Sequence, residues 1–113
     1  MTYRIVVGVD SSRHSTAALR WAVQQAERLS GEVVAMFCWQ MPFLGVPGGF
    51  DQDEVEADAK TLLLQTVVAA VPQPPVPLVN VVAHGDPTEA LIEASKDADL
   101  LVLGTRGRSA FAG

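Results

Sequence analysis

Four short apolar runs alternate with three stretches of helical spacing, and this alternation narrows the possible folds more than any other feature of the chain. The runs are Ile5-Val-Val-Gly-Val9, Glu32 to Trp39, Pro77 to Ala83 and Leu100 to Leu103. The first helical stretch covers Arg13 to Leu29, with Ala18, Trp21, Ala22, Ala26 and Leu29 as its apolar face. Ser30-Gly31 closes it, with Gly31 in the position just past a helix end that favours glycine. The second runs from Asp53 to Val71, where Val55, Ala59, Leu62, Leu63, Thr66, Val67 and Ala70 recur at helical steps until Pro72-Gln-Pro-Pro75 stops them. The third has a clear start signal: Asp86 as cap, Pro87 at the first position and Glu89 at the third, with an end near Lys96-Asp97. Pro42 to Phe50, with two prolines and three glycines, is a loop.

A βαβαβαβ order implies a parallel sheet with right-handed crossovers and helices on both faces. Unbroken apolar strands agree, because a strand covered on both sides need not alternate. The fold class expected is therefore α/β, an open parallel sheet in strand order 3-2-1-4, with the first helix on one face and the other two arranged across both. Ligands of such sheets sit outside the carboxyl ends of the strands, where the strand order reverses. Asp10 follows strand 1 and Gly104 follows strand 4, so with these strands as neighbours both face one crevice.

Composition removes several function classes. With thirteen acidic and eight basic residues the net charge is −5, against a general nucleic-acid binder. The single cysteine, Cys38, excludes a disulfide scaffold or a cysteine zinc site within one chain and suits a reducing cytoplasm. Met1-Thr-Tyr-Arg-Ile5 leads directly into a strand without a signal-peptide core. No apolar stretch approaches the ~20 residues of a membrane span. The expectation is a cytoplasmic protein with no membrane and no nucleic-acid partner.

Two segments carry chemistry. Leu100-Leu-Val-Leu103 empties into Gly104-Thr-Arg-Gly-Arg-Ser109, where Gly104 and Gly107 let backbone approach a ligand and Arg106 and Arg108 supply positive charge. Such a loop either wraps phosphate oxygens with its N–H groups or is an ordinary strand-to-helix turn with solvated arginines; the residues alone leave both open. No Gly-Lys-Ser/Thr follows, so it is no Walker loop. At Gly8-Val-Asp-Ser-Ser12, Asp10 could accept hydrogen bonds from an adenine amino group or ribose hydroxyl, or Asp10 or a serine could simply cap helix 1. Both hold together if a serine caps and the acid faces the ligand. His14 and His84 have no third ligand at metal spacing, although His84 could reach the crevice rim. Cys38 reads as a buried small hydrophobe, and Asp51 to Glu56 as acids suited to a helix start. Ser12-Arg-His-Ser15 gives no catalytic triad, and no general base stands out.

Together these segments resemble the universal stress protein family, over all 113 residues. The resemblance rests on Ile5-Val-Val-Gly-Val-Asp-Ser-Ser12, Val33 to Trp39, His84-Gly-Asp-Pro-Thr-Glu-Ala-Leu91 and, most specifically, Ala98 to Arg108. It implies the adenine-nucleotide hydrolase-like, Rossmann-like form of the α/β fold, with five parallel strands, and binding of ATP (or AMP or ADP) with Mg as a possible companion in some members. It places Gly8, Asp10, Cys38, Gly104, Arg106, Gly107, Arg108 and Ser109 in the nucleotide site. There Asp10 approaches the adenosine, the backbone at Cys38 lies against adenine, and the loop from Gly104 to Ser109 holds ribose and phosphates. The family's binders carry Gly-x-x-Gly and then, nine residues on, Gly-Ser/Thr. Gly104 and Gly107 match the first half, and the closing glycine would fall beyond Gly113. The chain thus reads as one universal stress protein domain over 1–113 that ends before the family's last helix and fifth strand.

The function expected is a stress-response protein that binds an adenine nucleotide and acts through nucleotide-linked association. One rival is a dimerisation module with a vestigial glycine loop; the other is an ATP pyrophosphatase-type enzyme, for which Asp10-Ser-Ser12 is too slight. An apolar fourth strand at a sheet edge is an aggregation hazard, so a homo-oligomer, an exchanged segment or further residues are expected to cover it.

Overall fold

A computed structural model of the chain describes residues 2–10, 12–40 and 51–104. Its elements are β1 (Arg4–Gly8), α1 (Arg13–Arg28), β2 (Glu32–Trp39), α2 (Gln52–Ala70), β3 (Leu78–His84), α3 (Pro87–Ser95) and β4 (Leu100–Leu103). The strands form one sheet in the order β3-β2-β1-β4, and each neighbouring pair is parallel. Ile5 lies level with Val33 on one side and Leu100 on the other. The alternation of apolar runs and helical spacings thus gives both element order and topology. β1 begins and ends one residue earlier than the apolar run implies, and β3 ends one residue later, at His84.

Strand alternation divides the apolar residues between two faces. Ile5, Val7, Val33 and Ala35 form one core with Leu19, Ala22, Val23 and Ala26 of α1 and Leu63, Val67 and Ala70 of α2. α1 and α2 pack on this face and on each other. α3 packs across β1, β2 and β4 and contributes nothing to that cluster. It covers the opposite face, as a right-handed return from β3 to β4 requires. There Val6 and Met36 are buried, while α3 itself has no buried residue.

Two sequence expectations are corrected. Trp21 is 46 % exposed and Leu29 51 % exposed, although both fit a helical apolar face. The buried stripe runs instead through Ser15, Leu19, Ala22, Val23 and Ala26; at about 100° per residue Trp21 lies well outside it, and Leu29 caps the helix end. Second, Ser30 rather than Gly31 takes the left-handed backbone past α1, with φ 52°. Gly31 is glycine for a different reason: a Cβ there would run into the Tyr3 carbonyl, which already accepts the Glu32 N–H at 2.8 Å.

Candidate functional site

The order reverses between β1 and β4, and at their carboxyl ends lies a cleft of about 260 Å³ lined by Gly8, Val9, Asp10, Met36, Phe37, Cys38, Pro87, Leu91, Leu103 and Gly104. Residues from β1, β2, β4 and the start of α3 meet there although they are scattered through the chain. Of the residues expected in a site, Gly8, Asp10, Cys38 and Gly104 come together in this cleft. Arg106, Gly107, Arg108 and Ser109 lie outside the described residues, as does the loop from Pro42 to Phe50.

The turn after β1 performs both roles that the sequence left open to it. Ser12 caps α1, its Oγ accepting the Ser15 N–H at 3.2 Å. Asp10 Oδ1 accepts the Ser12 N–H at 3.0 Å, a short turn that fixes the carboxylate at the cleft wall. The start of α3 is built as its start signal implies: Asp86 Oδ2 accepts the Glu89 N–H at 3.1 Å, with Pro87 in the first turn. Parallel strands place the N-termini of α1 and α3 at the same end of the sheet, so the positive ends of both helix dipoles lie on the crevice side.

Both cleft glycines have packing roles. A Cβ on Gly8 would sit 2.7 Å from Leu103 Cδ2 and 3.3 Å from Leu91 Cδ1. A Cβ on Gly104 would overlap the His14 carbonyl and lie 2.7 Å from the Ser15 nitrogen, because the end of β4 abuts the first turn of α1. Gly8 yields to side chains that can move; Gly104 meets backbone that cannot.

Cys38 is half-buried rather than fully enclosed. Burial, and secondarily the negative charge of Asp86, push its thiol above the usual cysteine range, so at neutral pH it is an uncharged part of the wall. His84 does not line the cleft; its ring stacks on Trp39, centroids 4.3 Å apart and planes 16° from parallel. Composition could not reveal the apolar walls from Met36, Leu91 and Leu103, since apolar residues inside strands and helices signal core first. Among the described residues no group of three or more His, Cys, Asp or Glu is placed to hold a metal ion, and no helix is long and apolar enough to cross a membrane.

The cleft is slightly smaller than the ~300–1,000 Å³ of typical small-molecule sites, and its wall at Gly104 leads into residues beyond the described ones. An apolar slot with one carboxylate held at its wall suits a flat heteroaromatic group carrying hydrogen-bonding edges.

Comparison with known proteins agrees with this architecture. The model of the universal stress protein family matches residues 1–113. A universal stress protein of Mycobacterium tuberculosis is 30 % identical over 110 residues, which is 96 % of this chain and 37 % of that protein. The chain therefore spans little more than a third of the length of the curated relatives it matches. Among solved structures, a universal stress protein from Lactobacillus plantarum is 26 % identical with a TM-score of 0.71, covering 93 % of this chain and 80 % of that one. A universal stress protein in complex with cAMP is 24 % identical with a TM-score of 0.76, covering 98 % of this chain and 82 % of that one.

Proposed function

This chain belongs to the universal stress protein family, and we propose that it binds an adenine nucleotide in the cleft at the ends of β1 and β4 and acts through nucleotide-linked association. The observation that carries the reading is the convergence of Gly8, Asp10, Cys38 and Gly104 on one cleft at the point where the strand order reverses. The cAMP held by a structural neighbour supports the same ligand class. In this reading the base lies in the apolar slot against backbone near Cys38, and the Asp10 carboxylate accepts from ribose hydroxyls or the adenine amino group. Gly104-Thr-Arg-Gly-Arg-Ser109 has the backbone freedom, guanidinium groups and hydroxyl suited to phosphate oxygens. ATP, ADP and AMP share everything this site would recognise up to the α-phosphate. A magnesium ion, where present, would be held mainly by the phosphates. In this reading the chain's part is to bind and orient the nucleotide.

One observation favours a second reading. Gly104 is required by packing alone and Gly8 is favoured by it, so an interaction module that needs no nucleotide would keep them too. Calorimetric titration with ATP, AMP and GTP separates the two. Saturable adenine-nucleotide binding, weakened roughly tenfold or more by Asp10→Ala through loss of charge-assisted hydrogen bonds, is the expected result. No binding of any adenine nucleotide would leave the interaction module.

A further inference from the structure

β3 is an outer strand of the sheet, and the described residues do not guard its free edge. Among them it pairs with β2 alone, residue for residue from Leu78 opposite Val33 to His84 opposite Trp39. That register has no bulge, and Leu78–His84 contains no Lys, Arg, Asp, Glu or Pro. Protected edges are very short, charged, bulged or interrupted by proline. This one is seven residues long and leaves Val79 51 % exposed. Its backbone is also phased for a further strand. The Pro77 carbonyl accepts the Val33 N–H at 3.0 Å, and the Gly85 N–H donates to the Trp39 carbonyl at 2.8 Å, so the odd-numbered residues turn toward β2. Leu78, Asn80, Val82 and His84 therefore turn their N–H and C=O groups outward, away from the ladder with β2.

Both sides of this edge have room for the side chains of an added strand. On the α2 side lies a pocket of about 350 Å³ lined by Glu56, Lys60, Leu63, Asn80, Val81 and Val82. On the α3 side Val79 and Val81 border a groove of about 280 Å³ floored by Val6, Val34, Met36 and Ala94. α3 packs mainly over β1, β2 and β4 and leaves this stretch open. Free backbone groups with pockets for alternate side chains are the two requirements of recognition by strand addition. The two sides differ in chemistry. The α3-side groove is apolar, with Asp97 and the Arg4–Glu32 ion pair at its rim. The α2-side pocket is polar, beside a helix start that sets Asp51, Asp53, Glu54, Glu56 and Asp58 against Lys60.

We propose that the β3 edge receives an extended segment of another protein as a fifth strand, its apolar side chains on the α3 side alternating with Lys or Arg on the α2 side. Charge selects this occupant over a second copy. The chain carries a net −5, and a second β3 would bring charge of the same sign with no lysine or arginine to set opposite Glu56. No residue of β3 lines the nucleotide cleft, so the proposal goes beyond the nucleotide reading and is tested without nucleotide.

The probe is a fluorescein-labelled peptide of alternating valine and lysine, about nine residues long, enough to span β3 at ~3.3 Å per residue. Anisotropy titration with the 113-residue chain should show saturable binding. A valine–glutamate peptide, and a peptide with the valines and lysines in two blocks, should each bind roughly tenfold more weakly or worse. N-methylating alternate amides of the probe should cost roughly tenfold or more in one phase and little in the other, because only one set of amides faces β3. Asn80→Pro removes an outward donor while sparing the ladder with β2 and should abolish binding. Glu56→Lys should weaken the lysine probe and strengthen the glutamate one. Bound probe should slow hydrogen exchange at the Asn80 and Val82 amides. The two methylated probes decide the matter if Asn80→Pro fails to fold, since they leave the protein unaltered. Equal binding of block and alternating peptides, equal loss from both methylation phases, or protection away from β3 overturns the proposal. So does a dimer that Asn80→Pro abolishes, which would give the edge to a second copy.

Discussion

At the scale of single residues, the two cleft glycines face different obstacles, and the difference is measurable. Gly104→Ala drives a methyl into the His14–Ser15 backbone, which can give way only by moving the start of α1. A loss of about 3 kcal/mol, at the upper end of overpacking costs, is expected in urea unfolding. Gly8→Ala meets only the ends of Leu103 and Leu91 and should cost about 1 kcal/mol. Equal losses would show that β4 does not abut α1 as described. Cys38 offers a second residue-level check. Because burial and then Asp86 raise its folded-state value, the unfolded chain ionises first as pH climbs through the ordinary cysteine range. The unfolded state then binds fewer protons, so this group's contribution to stability is intact below that range and declines above it. Alkylation of Cys38 should accordingly rise at higher pH than for a free cysteine. Asp86→Asn, which keeps a capping side chain, should bring the rise part of the way back. A profile unchanged by that substitution would remove Asp86 as a cause.

At the scale of elements, the three helices are held very unequally. α1 buries Ser15, Leu19, Ala22, Val23 and Ala26, whereas α3 buries nothing fully and exposes Ile92 to 56 %. Its ion pair, Lys96 to Glu93 at 2.8 Å, is solvent-exposed on both sides and adds little. Local opening follows buried contact rather than hydrogen-bond count. The amides of α3 should therefore exchange with solvent well before those of α1, and protection equal in both would contradict the packing described. Since Pro87 and Leu91 wall the cleft, a bound ligand should slow exchange in α3 more than in α2.

At the scale of the whole molecule, the cleft exists only when β1, β2, β4 and α3 are assembled, so its ligand should stabilise the entire fold. A nucleotide at about 100 times its dissociation constant contributes about 2.7 kcal/mol. For a domain of this size the melting temperature should then rise by roughly 10 °C or more. AMP and ATP should both produce the rise and GTP should not, because the guanine edge presents a carbonyl where adenine presents an amino group. A rise of equal size with GTP would point to phosphate capture alone and would displace the base from the apolar slot.

The sequence by itself determined the element order, the parallel sheet in order 3-2-1-4 and the Ser12 and Asp86 caps. Those follow from local periodicity, cap chemistry and the handedness of crossovers, all of which act over a few residues or one strand–helix–strand unit. It also singled out Asp10 and Gly104, because strand ends in such a sheet share one edge, while Gly8 and Cys38 entered only through the resemblance to the family. Tertiary structure alone decided why these positions matter to packing. Gly104 is set by the backbone of α1, some ninety residues earlier, and Gly31 by Tyr3 rather than by its own torsion. It decided, too, that Trp21 and Leu29 stand outside the core while Met36, Leu91 and Leu103 wall a cleft. A helical period says which residues share a side; which side faces the sheet, and what the neighbouring element leaves uncovered, depends on contacts between residues far apart in the chain.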